Sequence, residues 1–322
     1  MSPVKLYGNT MDLYRTIQSF PDNAKGCVVV IGNFDGVHRG HKILLETARK
    51  IADQKGAKLA VLTFEPHPRR LFRPDDPPFR ITPAVLKREK ISECGVDIML
   101  ELSFDWDFAS QSAEHFIDTI LKDTLGAAHI VVGYDFCFGQ LRKGNPDTIR
   151  ASGIEVTTLD KICDDGDSAL SSSRVRQALR QGDLALANDI LGWSWELRGE
   201  IVKGDQRGRE LGYPTANMSL GDCVHPAYGV YAVLARIEGE GEGAKEWLKG
   251  AANIGIRPMF EIPTAQVETY LFDFDSEIYG KTLCVRPIKR LRGEAKFHSL
   301  EALIAQMDED CKQARDVLLH HG

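Results

Sequence analysis

Residues 27–41 read CVVVIGNFDGVHRGH, and the first half of the chain takes its architecture from them. Residues 27–31 form a continuous apolar, β-branched run, as expected of a parallel strand buried on both faces. A glycine-rich turn follows. Residues 41–54 then place Ile43, Leu44, Ala48, Ile51 and Ala52 at helical spacing, with Gly56 suited to the helix C-terminus. In an open α/β sheet, ligands bind beyond the carboxyl ends of the strands, where this turn lies. Gly32, Gly36 and Gly40 let backbone N–H groups approach phosphate oxygens, and the helix N-terminus adds partial positive charge. His38 and His41, three apart, can face the same phosphates and stabilise charge on a leaving pyrophosphate. The H-x-x-H spacing alone fits zinc ligation or two surface histidines equally well. No third ligand stands nearby, and no GK[ST] of a Walker loop is present.

The alternation continues outward from this unit. Leu59–Phe64 reads as the next strand, Thr82 and Pro83 as a helix start with Gly95 as its stop, and residues 96–102 as a strand. Helix-like 113–124, strand-like 129–132 and strand-like 154–159 follow, which predicts a doubly wound, Rossmann-like parallel sheet. After a helical stretch over 175–191 the texture changes. Short β-rich runs at 200–202, 229–237, 247–254, 266–272 and 282–288, with GEGEGA at 239–244, predict a small antiparallel barrel. A final helix over 300–318 is capped by Ser299, with Glu301 favourable in its first turn. The expected domains are therefore 1–192 and 193–322.

The bulk properties fit this division. A chain of 322 residues accommodates two domains, and 43% apolar with 27% charged residues is ordinary globular composition. The net charge of −6 leaves no overall footprint for nucleic acid; the basic residues of 286–292 alternate with apolar ones like a strand face. No apolar run approaches the roughly 20 residues that span a bilayer, and MSPVKLYGNTMDLYRTI lacks the apolar core of a signal peptide. Seven scattered cysteines without a CxxC pair predict reduced thiols in a cytoplasmic protein. Self-association carries no sequence signature.

Other loops belong with the first turn. EPHP at 65–68 and GYDFCFG at 133–139 follow later strands on the same sheet edge, so the three loops are expected to share one cleft. EPHP alone is a rigid turn more often than a site, and convergence with the other loops raises its standing. SSSRVR at 171–176 opens a helix; its serines and Arg176 either hold triphosphate oxygens or serve as a cap with solvated arginines. In the second half, GDQRGRELGYPTAN at 204–217 suits phosphate and magnesium, since a hydroxyl and an amide supply neutral oxygens. By itself it fits a flexible surface loop equally.

Together these segments resemble a known family. GNFDGVHRGH, FEPHP, VGYDFCFG and SSSRVR are similar to the adenylyltransferase half of prokaryotic bifunctional riboflavin kinase/FAD synthetases. GRELGYPTAN, GVY at 229–231, NIGIRPMF at 253–260, ETYLFDFDSEIYG at 268–280 and RLRGEAKFHSLEAL at 290–303 resemble the riboflavin kinase barrel. Met259 stands where that family usually has threonine. The resemblance implies an FMN adenylyltransferase domain over 1–192 and a riboflavin kinase β-barrel with a terminal helix over 193–322.

The resemblance also implies roles for residues. Gly32, Asn33, Phe34, Asp35, Gly36, Gly40, Ser171, Ser172, Ser173, Gly204, Gly208 and Gly212 would bind ATP phosphates. Phe64, Pro66, His67, Asp135, Phe138 and Asn217 would face flavin. Thr215 and Asn217 would hold Mg²⁺, and Glu268 would be the base for phosphorylation of riboflavin. His38, His41 and Arg176 would stabilise the second transfer, from ATP to FMN, giving FAD. A kinase with a single activity and a flavin-binding regulatory module without turnover are the competing readings. An adenylyltransferase for pantetheine phosphate or nicotinate mononucleotide would leave the PTAN barrel without a purpose.

Overall fold

The structure, a computed structural model, describes residues 11–203, 212–239, 246–257 and 264–321. These fall into two compact units, one ending at Ser171 and interrupted between Asp76 and Ala84, the other comprising Pro77–Pro83 and the chain from Ser172 onward.

The first unit runs β1 (Asp12–Tyr14), β2 (Val28–Ile31), α1 (Arg39–Lys55), β3 (Leu59–Phe64), α2 (Pro68–Phe72), α3 (Ala84–Ser92), β4 (Ile98–Leu102), α4 (Trp106–Ala109), α5 (Ala113–His115), β5 (His129–Gly133), α6 (Pro146–Ala151) and β6 (Glu155–Leu159). Every strand pairing is parallel, in the order β1-β4-β3-β2-β5-β6. The unbroken apolar run at 28–31 has a direct cause. Val29 and Ile31 enter one core with Ala60, Leu62 and Ile130, while Val28 and Val30 enter the opposite core with Leu44, Leu45 and Ala48 of α1. Each such side chain contributes about 1.5–3 kcal/mol by leaving water. From β2 the chain steps through β3 to β4 on one side, then through β5 to β6 on the other. The order reverses between β2 and β5, so the ligand crevice of this topology lies beyond their carboxyl ends.

The expected helix over 113–124 is a three-residue α-turn that continues as a π-helix over Phe116–Thr124. The wider turn still buries Phe116, Ile117, Ile120 and Leu121, the face that the helical pattern marks.

The second unit contains α7 (Ser172–Gln181), α8 (Leu184–Leu191), β7 (Leu197–Glu200), β8 (Thr215–Ser219), β9 (Gly229–Ile237), β10 (Leu248–Arg257), β11 (Thr264–Leu271), β12 (Thr282–Arg292) and α9 (Leu300–Leu318). The strands form an antiparallel sheet in the order β7-β12-β9-β10-β11-β8. A bridge between Val202 and Asn217, with the Val202 N–H donating to the Asn217 carbonyl at 2.8 Å, draws the two end strands together into a nearly closed barrel. Ala314 and Leu318 of α9 pack on Ala232, Leu234, Ala251 and Phe272. Ser299 caps that helix, accepting from the Ala302 N–H.

The helical stretch over 175–191 is two helices, separated by Gly182 at φ 78° and by Asp183, which caps α8. Both helices belong to the second unit: the Leu179 carbonyl accepts from Ala227 N–H. Residues 77–83 join it as well. Phe79 and Arg80 N–H groups donate to the Asp222 carbonyl, and Trp195 Nε1 donates to the Ile81 carbonyl at 3.0 Å. Structural packing thus divides the chain at Ser171/Ser172, while the change from helical to β texture falls about twenty residues later.

Candidate active sites

The turn after β2 is held in a conformation that side chains rarely adopt. Phe34 and Val37 have φ of 52° and 39°, and Gly36 has φ of 88°. For a β-branched residue such as Val37 this is a costly backbone state, tolerated where surroundings over-determine it. Those surroundings are visible: Phe34 and Val37 are buried and join the core under α1. Gly32 makes room for the Phe34 ring, since a Cβ there would lie 3.3 Å from it. A Cβ on Gly40 would press on the His38 ring at 3.1 Å and the Leu170 carbonyl at 3.2 Å. The glycines therefore serve close packing as well as backbone access. Asp35 is buried in the same turn, and Asn33 is exposed.

His38 is the N-cap of α1, its Nδ1 accepting from the His41 N–H at 3.3 Å. A neutral ring that accepts at Nδ1 carries its proton on Nε2, so that nitrogen is a donor. The His38 and His41 rings stack at 3.7 Å between centroids and 19° between planes. The fold thus brings the two histidines together at a helix N-terminus, where anions are favoured.

The loop after β3 begins at the neighbouring carboxyl end. His67 caps α2 by accepting from the Arg69 N–H at 3.1 Å. Glu65 is tied down by Lys87, a buried lysine of α3 whose Nζ lies 3.0 Å from Glu65 Oε2 and donates to the Phe64 carbonyl at 3.1 Å. Phe64 packs edge-on against Phe104, which also meets Phe72; Phe72 in turn meets Trp106. Phe72 and Trp106 are largely exposed, an aromatic surface at the sheet's carboxyl edge that the sequence reading missed. In the loop after β5, Asp135 is exposed, whereas Phe138 is buried against Phe116 and stacked on Phe136.

Ser171 closes the first unit, and Ser172, Ser173 and Arg176 lie in the second, on α7. Arg176 is buried, with Nε donating to the Phe79 carbonyl at 2.7 Å and its guanidinium 5.5 Å from the Phe79 ring centre. It anchors the 77–83 segment.

In the barrel, strand register assembles residues that are far apart in sequence. Glu268 on β11 stands opposite Asn217 on β8 and opposite Asn253 on β10. Directly opposed residues share a face, so the three form a polar row across three strands. Asn217 Nδ2 donates to the Thr215 carbonyl at 3.1 Å and lies 3.4 Å from Thr215 Oγ1. The other amide atom, Asn217 Oδ1, is buried with no hydrogen-bond partner among the described residues. A Cβ on Gly255 would meet Glu294 Oε1 at 2.3 Å, which places a second carboxylate over the row, near Asn253. Glu294 lies within RLRGEAKFHSLEAL, where nothing local in the sequence marks it as a site residue.

Beside Thr215 and Asn217 opens a cavity of about 260 Å³, walled by Ala216, Thr269, Leu271 and the segment from Phe274 to Tyr279. Gly212, at φ 85°, enters the chain leading to Thr215. Gly204, Gly208 and Met259 lie outside the described residues.

Comparison with known proteins assigns each half. Residues 20–174 match the family model described as FAD synthetase, and residues 191–318 match riboflavin kinase. The bifunctional riboflavin kinase/FMN adenylyltransferase of Escherichia coli (strain K12) is 40% identical over 296 residues, covering 91% of this chain and 93% of the relative. The chain belongs to that bifunctional family. The Bacillus subtilis (strain 168) member is 38% identical, covering 89% of this chain and 91% of its own length. A solved structure titled as a macrolide-efflux protein from Streptococcus pneumoniae shares the fold across both halves. Its TM-score is 0.82 at 31% identity, covering 94% of this chain and 98% of that one. Among the described residues here, no helix is long and apolar enough to cross a membrane.

Proposed function

We propose that the chain makes FMN from riboflavin and ATP in its barrel, then FAD from FMN and a second ATP in its parallel-sheet unit. The observation that carries this reading is the register that sets Glu268 between Asn217 and Asn253, with Thr215 one hydrogen bond away.

The first step needs a base, because a primary alcohol is a weak nucleophile near neutral pH. Glu268 accepts the proton of the ribityl 5′-hydroxyl as its oxygen attacks the γ-phosphorus and ADP departs. Thr215 Oγ1 and Asn217 Oδ1, the latter without a hydrogen-bond partner among the described residues, offer two neutral oxygens of the kind magnesium accepts. Magnesium bound there with ATP would neutralise phosphate charge. Asn217, on the same face as Glu268, positions the reacting groups, and the adjacent cavity takes the nucleotide.

The second step needs no base, since the nucleophile is the phosphate of FMN. Its oxygen attacks the α-phosphorus, the bond to the bridging oxygen breaks, and pyrophosphate leaves. The His38 Nε2–H, His41 and the first-turn amides of α1 stabilise that charge. By resemblance, SSSRVR with Arg176 is the second phosphate-holding segment. Phe72 and Trp106 join Phe64, Pro66 and His67 as the flavin-facing surface, where exposed rings suit stacking.

Riboflavin, FMN and ATP are the partners in this reading, with neither nucleic acid nor membrane. Seven free cysteines suit a reducing cytoplasm. Incubation with riboflavin and Mg-ATP, followed by chromatography, tests the proposal. FMN and FAD together are expected. FMN alone would reduce the activity to a kinase, and ATP left unconsumed would leave only a flavin-binding module.

A further inference from the structure

Lys87 is 1% exposed, and lysine is almost never buried to that degree unless it is paired. It projects from α3, a helix that other residues already hold to the sheet. Leu86 and Ile91 are fully buried, and Arg88 grips Glu101 of β4 with Nε 3.0 Å from Oε2 and Nη2 2.5 Å from Oε1. Fastening the helix does not call for the ammonium.

What Lys87 does fasten lies where two strand ladders run out. The β2–β3 ladder stops at Ile31 and Leu62, with one more bond from the Gly32 N–H to the Leu62 carbonyl at 3.1 Å. The β3–β4 ladder stops at Phe64 and Leu102, with one more from the Glu65 N–H to the Leu102 carbonyl at 2.9 Å. Beyond these points side chains take over. Lys87 Nζ lies 3.0 Å from Glu65 Oε2, and it donates to the Phe64 carbonyl at 3.1 Å and to Thr63 Oγ1 at 3.4 Å. The buried Thr63 hydroxyl donates in turn to the Asn33 carbonyl at 3.4 Å. One cation thus reaches the first residue of the EPHP loop directly and, through one hydroxyl, the turn that carries His38 and His41.

Packing alone does not call for a charge here. Taking an ammonium and a carboxylate out of water is costly, and apolar residues of similar volume often serve stability as well or better. A buried, charge-assisted hydrogen bond gives a fixed direction that apolar contact does not. We propose that Lys87 is a positioning residue for adenylyl transfer, holding the EPHP loop and the histidine turn at a fixed spacing. The inference rests on the reading that both loops serve that reaction. FMN held by one loop and ATP held by the other meet in line only while that spacing is kept, and a misplacement of about 1 Å costs up to about 10²-fold in rate.

The test uses the full chain. FAD formation from added FMN and Mg-ATP is followed alongside riboflavin phosphorylation, at a temperature well below each variant's melting midpoint. Lys87→Met combined with Glu65→Met replaces the ion pair by apolar side chains of similar length, so that no buried charge is stranded. Adenylyl transfer is expected to lose about 10- to 100-fold in kcat. The KM values for FMN and Mg-ATP, and the rate of riboflavin phosphorylation, should stay within about threefold of wild type. Thr63→Val keeps the shape and cuts the relay to Asn33; it should lower kcat about 3- to 10-fold, the effect of one neutral hydrogen bond, again with KM held. Wild-type kcat in the cooperatively folded double variant overturns the proposal, as does a loss carried by KM with kcat unchanged, which would make the pair a binding contact. Should the double variant fail to fold, Thr63→Val alone decides, and wild-type kcat there gives the same refutation. The reading of the two loops fails separately, if His38→Ala with His41→Ala still forms FAD at the wild-type rate.

Discussion

Glu268 has neighbours that only a barrel can provide. Asn217 lies 51 positions upstream by subtraction, and antiparallel pairing sets it directly across the strand. Removing the carboxylate while keeping the row should remove the base and little else. Glu268→Ala is expected to slow FMN formation by about 10²- to 10⁴-fold, the range that a positioned general base supplies. FAD formation from added FMN should stay within twofold of wild type. Equal loss of both activities in a folded variant would count against separate sites. At this scale the sequence was informative where a residue's chemistry is rare and its spacing local. His38 and His41, three apart in a glycine turn, stack at 3.7 Å as their spacing allows. Glu294 and Lys87 were not legible because their meaning lies in a partner on another strand or helix.

Elements were legible in proportion to their periodicity. Leu59–Phe64, Gly229–Ile237 and Leu300–Leu318 begin and end where the pattern places them. Strand β8 escaped because Thr-Ala-Asn-Met-Ser has no alternation to betray it; pairing with β11 makes it a strand. Strand β12 runs on past Ile288 because bulges around Pro287 and Arg290 absorb the proline and keep the ladder going. One glycine shows how tightly this barrel is drawn. Gly229, at the start of β9, has φ of 146°, and a Cβ there would stand 2.1 Å from the Arg292 carbonyl oxygen. The obstacle is backbone of a paired strand, which has no rotamer to yield. Gly229→Ala should therefore destabilise the barrel by about 2–4 kcal/mol through combined strain and overpacking. Chemical denaturation read at a tryptophan band would register this as a lower midpoint; an unshifted midpoint would mean that β9 and β12 separate at little cost.

On the scale of the whole chain, the two halves carry unlike chemistry for a physical reason. A hydroxyl nucleophile needs a proton acceptor, and the barrel holds Glu268 in its polar row. A phosphate nucleophile needs only charge relief, and the parallel sheet places two histidines at a helix N-terminus. His38→Ala with His41→Ala should consequently abolish FAD formation while riboflavin phosphorylation continues. The two crippled chains, each lacking one step, then make a stricter test. The histidine variant can still release FMN, and the Glu268→Ala variant can still adenylylate it. Mixed in one tube with riboflavin and Mg-ATP, they should form FAD after a lag in which free FMN accumulates, because the only route runs through solution. Neither alone should form it from riboflavin. A chromatographic time course decides the matter: FAD with a lag requires two complete and separable sites, whereas a mixture that accumulates FMN and never converts it would mean that Glu268 or its strand also serves adenylyl transfer.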